Sequence, residues 1–209
     1  MSTRSEHVCG AIIAGGASTR FGSPKALAEV GGVRVIDRVA RTLEAAAGVH
    51  GVFAIVNDPG LGAEVDLPHR PDVLAGAGAL AGVHAALLWA RELDRAGVIA
   101  AGCDMPFLSS ALLSEVLRHA HSYDVVIPES DNPRGVEPLC AFYGPGCITP
   151  IEAAIARGDA RMVSFHEAVH VHRIPLDVVR SFGDPAVIFM NMNTQADLAE
   201  ADRIVRETS

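Results

Sequence analysis

Positive charge is scarce in this chain: 17 Lys and Arg stand against 25 Asp and Glu, for a net charge of −8 over 209 residues. A nucleic-acid surface needs a basic stripe, so this balance argues against DNA or RNA as a partner. Long apolar runs are missing too. None approaches the length of a bilayer span and the N-terminus carries no signal-peptide core, so no membrane association and a cytoplasmic location are expected. The four cysteines (Cys9, Cys103, Cys140 and Cys147) include no Cys-x-x-Cys pair, which leaves out a zinc ribbon and a redox motif. Cys9, Cys103 and Cys140 lie in apolar, strand-like runs, where a reduced cysteine serves as a small buried hydrophobe. There is no internal repeat, low-complexity tract or linker, so residues 1–209 read as one domain. With 49% hydrophobic residues, that domain can bury a full core.

What is present is concentrated near the start. The apolar run Val8 to Ile13 is short enough for a buried strand. It leads into Ala14-Gly15-Gly16-Ala17-Ser18-Thr19-Arg20-Phe21-Gly22-Ser23-Pro24-Lys25, a loop by its glycines and proline. Glycines let backbone N–H groups face an anion with no Cβ in the way. Arg20 and Lys25 add the fixed positive charge that a polyphosphate needs. The loop is not a Walker loop, because Gly22 is followed by Ser23-Pro24-Lys25, and Gly15-Gly16 does not make the dinucleotide fingerprint. On residue chemistry alone, a phosphate cradle and an ordinary strand-to-helix turn both remain open.

Along the rest of the chain, apolar spacing predicts a helix over Val35 to Ala47 closed by Gly48, and a strand over Val52 to Val56. Asn57 follows that strand, either as a ligand-facing residue or as a turn former. Gly76-x-Gly78-x-x-Ala81 imitates a dinucleotide fingerprint, but it does not follow the first strand and Pro71 interrupts the approach. A flexible loop leading into a helix over Ala81 to Arg95 is expected instead. Strand Val98 to Gly102 then delivers Cys103-Asp104-Met105-Pro106-Phe107. A carboxylate at the end of a buried strand is costly unless paired or bound to a cation, and magnesium takes one or two protein carboxylates. Asp104 is therefore the metal-ligand candidate, because Ser109 or Ser110 caps the following helix more closely.

Further on, a strand is expected over Asp124 to Pro128, and strand-like structure over Val136 to Tyr143. Arg134 and Glu137 read equally as second-substrate contacts or as a surface ion pair. His166-Glu167-Ala168-Val169-His170 spells the zinc-protease pattern. Alternation from Val169 to Ile174 signals a strand, which breaks the helix that this chemistry requires, and it sets His170 and His172 toward solvent. Val187 to Met190 reads as another apolar strand, followed by Asn191, Asn193 and a capping box of Thr194 with Asp197. The alternation of strands and helices gives an α/β fold: a three-layer sandwich with a mostly parallel central sheet.

The loop Ala14-Gly15-Gly16-x-Ser-x-Arg-x-Gly-x-x-Lys, the Gly78-Ala79-Leu80-Ala81-Gly82 segment, Cys103-Asp104-Met105-Pro106-Phe107 and the terminal Asn191-x-Asn193-Thr194 occur in the order found in one family. The chain resembles the molybdenum cofactor guanylyltransferases across nearly its whole length. Pro24 stands where Asp often precedes the lysine, and Gly78 to Gly82 lacks the family's usual proline. The resemblance implies the nucleotide-diphospho-sugar-transferase-like fold and transfer of GMP from GTP to molybdopterin. It further implies Mg²⁺ at Asp104 and nucleotide contacts from Ile13, Ala14, Gly15, Gly16, Lys25, Asn57, Asp72 and Asp104. Arg20, Lys25 and Asp104 would act catalytically, and Glu137, Asn191 and Asn193 would face the second substrate. Related cytidylyltransferases tend to read Leu-Ala-Ala-Gly at the loop, so Gly15-Gly16 favours GTP. The expected state is a monomer or weak homo-oligomer, with other molybdenum cofactor proteins as candidate partners. Cytidylyl transfer, nucleotidyl transfer to another small molecule, and a non-enzymatic nucleotide-binding module stand as the alternatives.

Overall fold

In the computed structural model, which describes residues 7–14, 25–74 and 76–208, the first apolar run forms β1 (Val8–Ala14), buried at every position. A short hairpin follows, β2 (Glu29–Val30) with β3 (Val33–Arg34), then α1 (Val35–Ala45), β4 (Val49–Val56), α2 (Pro59–Glu64) and β5 (His69–Arg70). The middle of the chain gives α3 (Gly78–Glu92), β6 (Val98–Gly102), α4 (Ser110–Arg118), β7 (Val125–Pro128) and β8 (Cys140–Tyr143). It ends with α5 (Ile148–Ala156), β9 (Val171–Ile174), α6 (Leu176–Arg180), α7 (Pro185–Ile188) and α8 (Gln195–Thr208).

Seven of the strands form one sheet in the order β5-β4-β1-β6-β8-β7-β9. All its pairs are parallel except those made by β8, which runs against both β6 and β7. Because successive side chains point to opposite faces, β1 divides its own. Val8, Ile12 and Ala14 enter one core, whereas Cys9, Ala11 and Ile13 enter the other. The first core is covered by α1 and α4, the second by α3 and α5. Such two-sided cover is what a parallel sheet of near-continuous apolar strands demands. On α1, Val35, Ile36, Val39, Ala40 and Leu43 make the buried stripe. Each large aliphatic side chain there contributes roughly 1.5–3 kcal/mol by leaving water. Gly48, at φ +97°, turns the chain out of that helix and into β4.

Three local expectations are corrected. Val187 to Met190 is not a strand: Asp184 caps α7 by accepting from Ala186 N at 2.9 Å, and Pro185 starts it, so local capping prevails over the apolar run. Helix α3 begins at Gly78 rather than Ala81. Of Val136 to Tyr143 only Cys140–Tyr143 is a strand, Val136 making a single bridge to Glu129, because Pro138 has no N–H to donate to a ladder.

Candidate active site

The register of the sheet brings the strand ends together. Ile13 of β1 lies beside Ile55 of β4 on one side and Gly102 of β6 on the other, while Ile55 also faces Arg70 of β5. The residues that follow these strands therefore share the carboxyl edge: Asn57 after β4, Asp72 after β5, Asp104 after β6. The chain builds outward from β1 through β4 to β5, then returns to the other side of β1 at β6. That reversal falls between β1 and β6, and the carboxyl ends on either side of such a switch point are the place where open α/β sheets bind ligands.

Asn57 and Asp72 meet directly. The Asn57 amide donates from Nδ2 to Asp72 Oδ2 at 2.5 Å, and its Oδ1 accepts from Asp72 N at 2.8 Å. Behind them the edge strand β5 is held from its side chains. The guanidinium of Arg70 lies 4.3 Å above the ring of Trp89 and pairs with Glu92 at 2.6 Å, and Trp89 in turn stacks on Phe53 of β4 at 4.2 Å. A cation over an indole face is attracted by the ring's quadrupole, so Asp72 emerges from a strand held against α3.

Asp104 sits one residue past Cys103, whose N–H donates to Ile13 O at 3.3 Å. Its carboxylate folds back over Gly102: a Cβ on that glycine would lie 2.9 Å from Asp104 Oδ1 and 3.2 Å from Met105 Sδ. The absence of a side chain at Gly102 thus makes the room the carboxylate occupies. From the far end of the chain, Met192 N donates to Asp104 O at 2.9 Å, which brings the backbone of Asn191 and Asn193 to the same edge. Asn191 Nδ2 donates to Phe189 O at 2.9 Å. Asn193 is oriented by the cap of α8: Asp197 Oδ2 accepts from Asn193 N at 2.8 Å and Thr194 N at 2.7 Å, and Thr194 Oγ1 accepts from Asp197 N at 3.2 Å. The capping box read from the sequence is the device that docks this segment.

Glu137 is buried, at 5% exposure, and is not half of a surface ion pair with Arg134. Burial pushes its carboxyl above the usual range, and the nearby charge of Asp104 adds to the rise. Opposing this are the Leu139 N–H, which donates to Oε1 at 3.4 Å, the Arg134 charge, and Asn132 Nδ2, which donates to Oε2 at 3.2 Å. Sequence reading missed both the burial of Glu137 and the role of Asn132; the signal was Pro138, which ends the strand pattern just where the carboxylate turns inward. The donor set suits a hard divalent cation, since carboxylate oxygens on a strand end with room at Gly102 match the one or two protein ligands that magnesium accepts. Among the described residues no group of three or more His, Cys, Asp and Glu converges to hold an ion.

Ile13 and Ala14 close β1 at this edge, and Lys25 opens the single-turn helix Lys25–Leu27. Gly15, Gly16 and Arg20 lie outside the described residues. The zinc-protease letters do not form a metal site. His166–Ala168 is a single 3-10 turn and β9 begins at Val171, so no helix presents the two histidines on one face. His170 is exposed as expected, but His172 is half-buried, stacked against Tyr123 and close to His119 with centroids 4.8 and 4.5 Å away. Burial also raises the thiols of Cys9, Cys140 and Cys147, in keeping with inert packing roles. A groove of about 930 Å³ lined by Val8, Tyr123, Asp124, Phe142 and His170 lies at the opposite, amino edge of the sheet. Despite its size it contains none of the residues assembled above.

Comparison with known proteins agrees with this geometry. A family model described as the MobA-like NTP transferase domain matches residues 10–172. A protein from Pelotomaculum thermopropionicum, named "Probable molybdenum cofactor guanylyltransferase", is 36% identical over 200 residues, covering 96% of this chain and 94% of its own. The molybdenum cofactor guanylyltransferase of Desulfosudis oleivorans is 32% identical over 203 residues, covering 95% and 96%. Among solved structures, molybdopterin-guanine dinucleotide biosynthesis protein A of Archaeoglobus fulgidus superposes with a TM-score of 0.78 at 25% identity, covering 94% of this chain and 98% of that one.

Proposed function

The chain belongs to the MobA-like NTP transferase family, and on that footing we propose that it transfers GMP from GTP to molybdopterin with release of pyrophosphate. The observation that carries the reading is the convergence of Asn57, Asp72 and Asp104 on the carboxyl edge beside β1, on a chain whose relatives bear that activity in their names.

In this reaction an ionised phosphate oxygen of the pterin attacks the α-phosphorus of GTP in line. The new P–O bond forms as the bond to the β-phosphate oxygen breaks, and pyrophosphate takes the electron pair. No general base is required, because the nucleophile is already deprotonated near neutral pH. The protein's part is then positioning and charge stabilisation. The backbone from Ile13 to Gly16 contacts the nucleotide, and the Asn57–Asp72 pair offers a fixed set of polar atoms to its nucleoside end. Lys25, the only lysine in the chain, and Arg20 offset charge on the transferred and departing phosphates. Asp104 holds Mg²⁺, which when bound neutralises charge on the triphosphate. Asn191 and Asn193, on either side of the Met192 whose N–H donates to Asp104 O, face the acceptor side. A glycine at position 15, where related cytidylyltransferases carry alanine, removes one Cβ and so favours the larger purine base.

Purified protein given Mg²⁺ and molybdopterin is expected to release pyrophosphate from GTP at least about tenfold faster than from CTP. Equal rates would remove the guanylyl assignment, and release from neither would remove nucleotidyl transfer to this acceptor.

A further inference from the structure

Helix α8 holds backbone N–H groups at two places with two of its own carboxylates. At its start Asp197 Oδ2 accepts from Asn193 N at 2.8 Å and from Thr194 N at 2.7 Å, next to the Met192 N–H that donates to Asp104 O at 2.9 Å. Rather more than one helical turn further on, Asp202 Oδ1 accepts from Gly31 N at 2.8 Å, across 171 positions of the chain.

Gly31 and Gly32, at φ +58° and +73°, form the two-residue loop of the β2–β3 hairpin, a turn that needs positive φ at both positions. The fit against α8 is close. A Cβ on Gly31 would lie 2.7 Å from Val205 Cγ1 and 3.0 Å from a guanidinium nitrogen of Arg38, and Arg38 Nε donates to Val30 O at 2.8 Å. Val30 of the hairpin and Ala201 of α8 are both fully buried in the first core. The hairpin is thus held by α8 and α1 together. Only Ala28 separates it from the turn Lys25–Leu27. Ala28 O accepts from Val35 N at 2.9 Å, which closes the base of the hairpin on the start of α1, and Ala26 is buried in the same core. Helix α8 therefore connects the strand end bearing Asp104 to the segment bearing Lys25.

We propose that Asp202 is a positioning residue for the nucleotide: by fixing Gly31 it sets the backbone that carries Lys25 against the strand end that carries Asp104. This rests on the role given to Lys25 under the proposed function. Asp202 acts through the hairpin and not by touching the nucleotide. A hydrogen bond to a carboxylate is among the strong ones, and a misplacement of about 1 Å is enough to spoil charge placement around a bound phosphate.

The test is calorimetric titration of the full-length protein with α,β-methylene-GTP and Mg²⁺. Asp202→Ala is expected to weaken binding about fivefold. Asp202→Asn keeps an oxygen that accepts from Gly31 N and is expected to bind within about twofold of the unaltered protein. Lys25→Ala is expected to weaken binding about tenfold or more. Adding Asp202→Ala to Lys25→Ala should then cost less than about twofold more, because the hairpin no longer has a cation to place. A general loss of packing would persist in the Lys25→Ala background. Three results overturn this inference while leaving the proposed function standing: normal binding by Asp202→Ala, an asparagine variant as weak as the alanine one, or the full loss persisting without the lysine. Normal binding by Lys25→Ala shows instead that the role given to Lys25 is wrong, and this inference falls with it. Circular dichroism melting establishes that each variant is folded. Should Asp202→Ala fail to fold, Gly31→Ala strains the same contact from the hairpin side, and unchanged affinity there overturns the proposal.

Discussion

Asn57 and Asp72 each satisfy the other, so neither acts alone. Removing Asn57 leaves the Asp72 carboxylate without its 2.5 Å donor and its N–H without an acceptor. Asn57→Ala and Asp72→Ala are each expected to raise KM for GTP about tenfold, with the double variant little worse than either. That corresponds to a coupling of about 1 kcal/mol or more in a double-mutant cycle; strict additivity would show that the two residues serve separate ends. Both positions were legible as polar residues following strands. Their contact was not, because it depends on which strand β5 joins and in what register. His166 carries a different test. Burial, with a smaller push from Arg173, lowers it from 6.5 to about 4, and its Nε2 finds no hydrogen-bond partner among the described residues. Between those two pH values the unfolded chain binds a proton that the folded chain excludes, so stability rises with pH across that window and is lost as pH falls through it. The expected contribution is on the order of 1 kcal/mol after allowing for partial exposure. Urea midpoints measured from pH 7 to pH 4 should fall less steeply for His166→Asn; an unchanged slope would place the acid sensitivity elsewhere.

At the scale of elements, α3 shows how a letter pattern misleads. The stretch before Ala81 reads as a flexible loop because of its glycines, yet Gly78, Ala79 and Leu80 are already helical. Gly82 is there for proximity: a Cβ at that position would come 2.7 Å from Ile13 Cγ2, so the helix rests directly on the strand that leads into the glycine loop. Gly82→Ala gains helix propensity of roughly 1 kcal/mol but overpacks this contact at a cost of about 1–3 kcal/mol. A net loss of stability is expected in chemical denaturation, together with a raised KM for GTP as Ile13 moves; a more stable variant with normal kinetics would contradict the packing account. Where the signal was local, the reading held. Ser109 caps α4 by accepting from Leu112 N at 3.3 Å, and the Thr194–Asp197 box spans only three residues. Where two local signals competed, as between the Asp184-Pro185 start and the apolar run behind it, periodicity alone chose wrongly.

Across the whole molecule, alternating strands and helices were enough to give a mostly parallel sheet with cover on both faces. They did not reveal that β8 runs against its neighbours, nor that the connection leading into it buries Glu137. A groove of about 930 Å³ lies at the amino edge, whereas the residues suited to the chemistry gather at the carboxyl edge, where the chain reverses its direction of growth. The topology of the sheet is what points to this site. The most direct measurement of the central claim follows the phosphorus atoms themselves. With molybdopterin present, GTP labelled at the α-phosphate should pass its label to a pterin dinucleotide, while label at the γ-phosphate should appear only in pyrophosphate. Retention of the α-label in free GTP or GMP, or γ-label released as inorganic phosphate, would contradict the account.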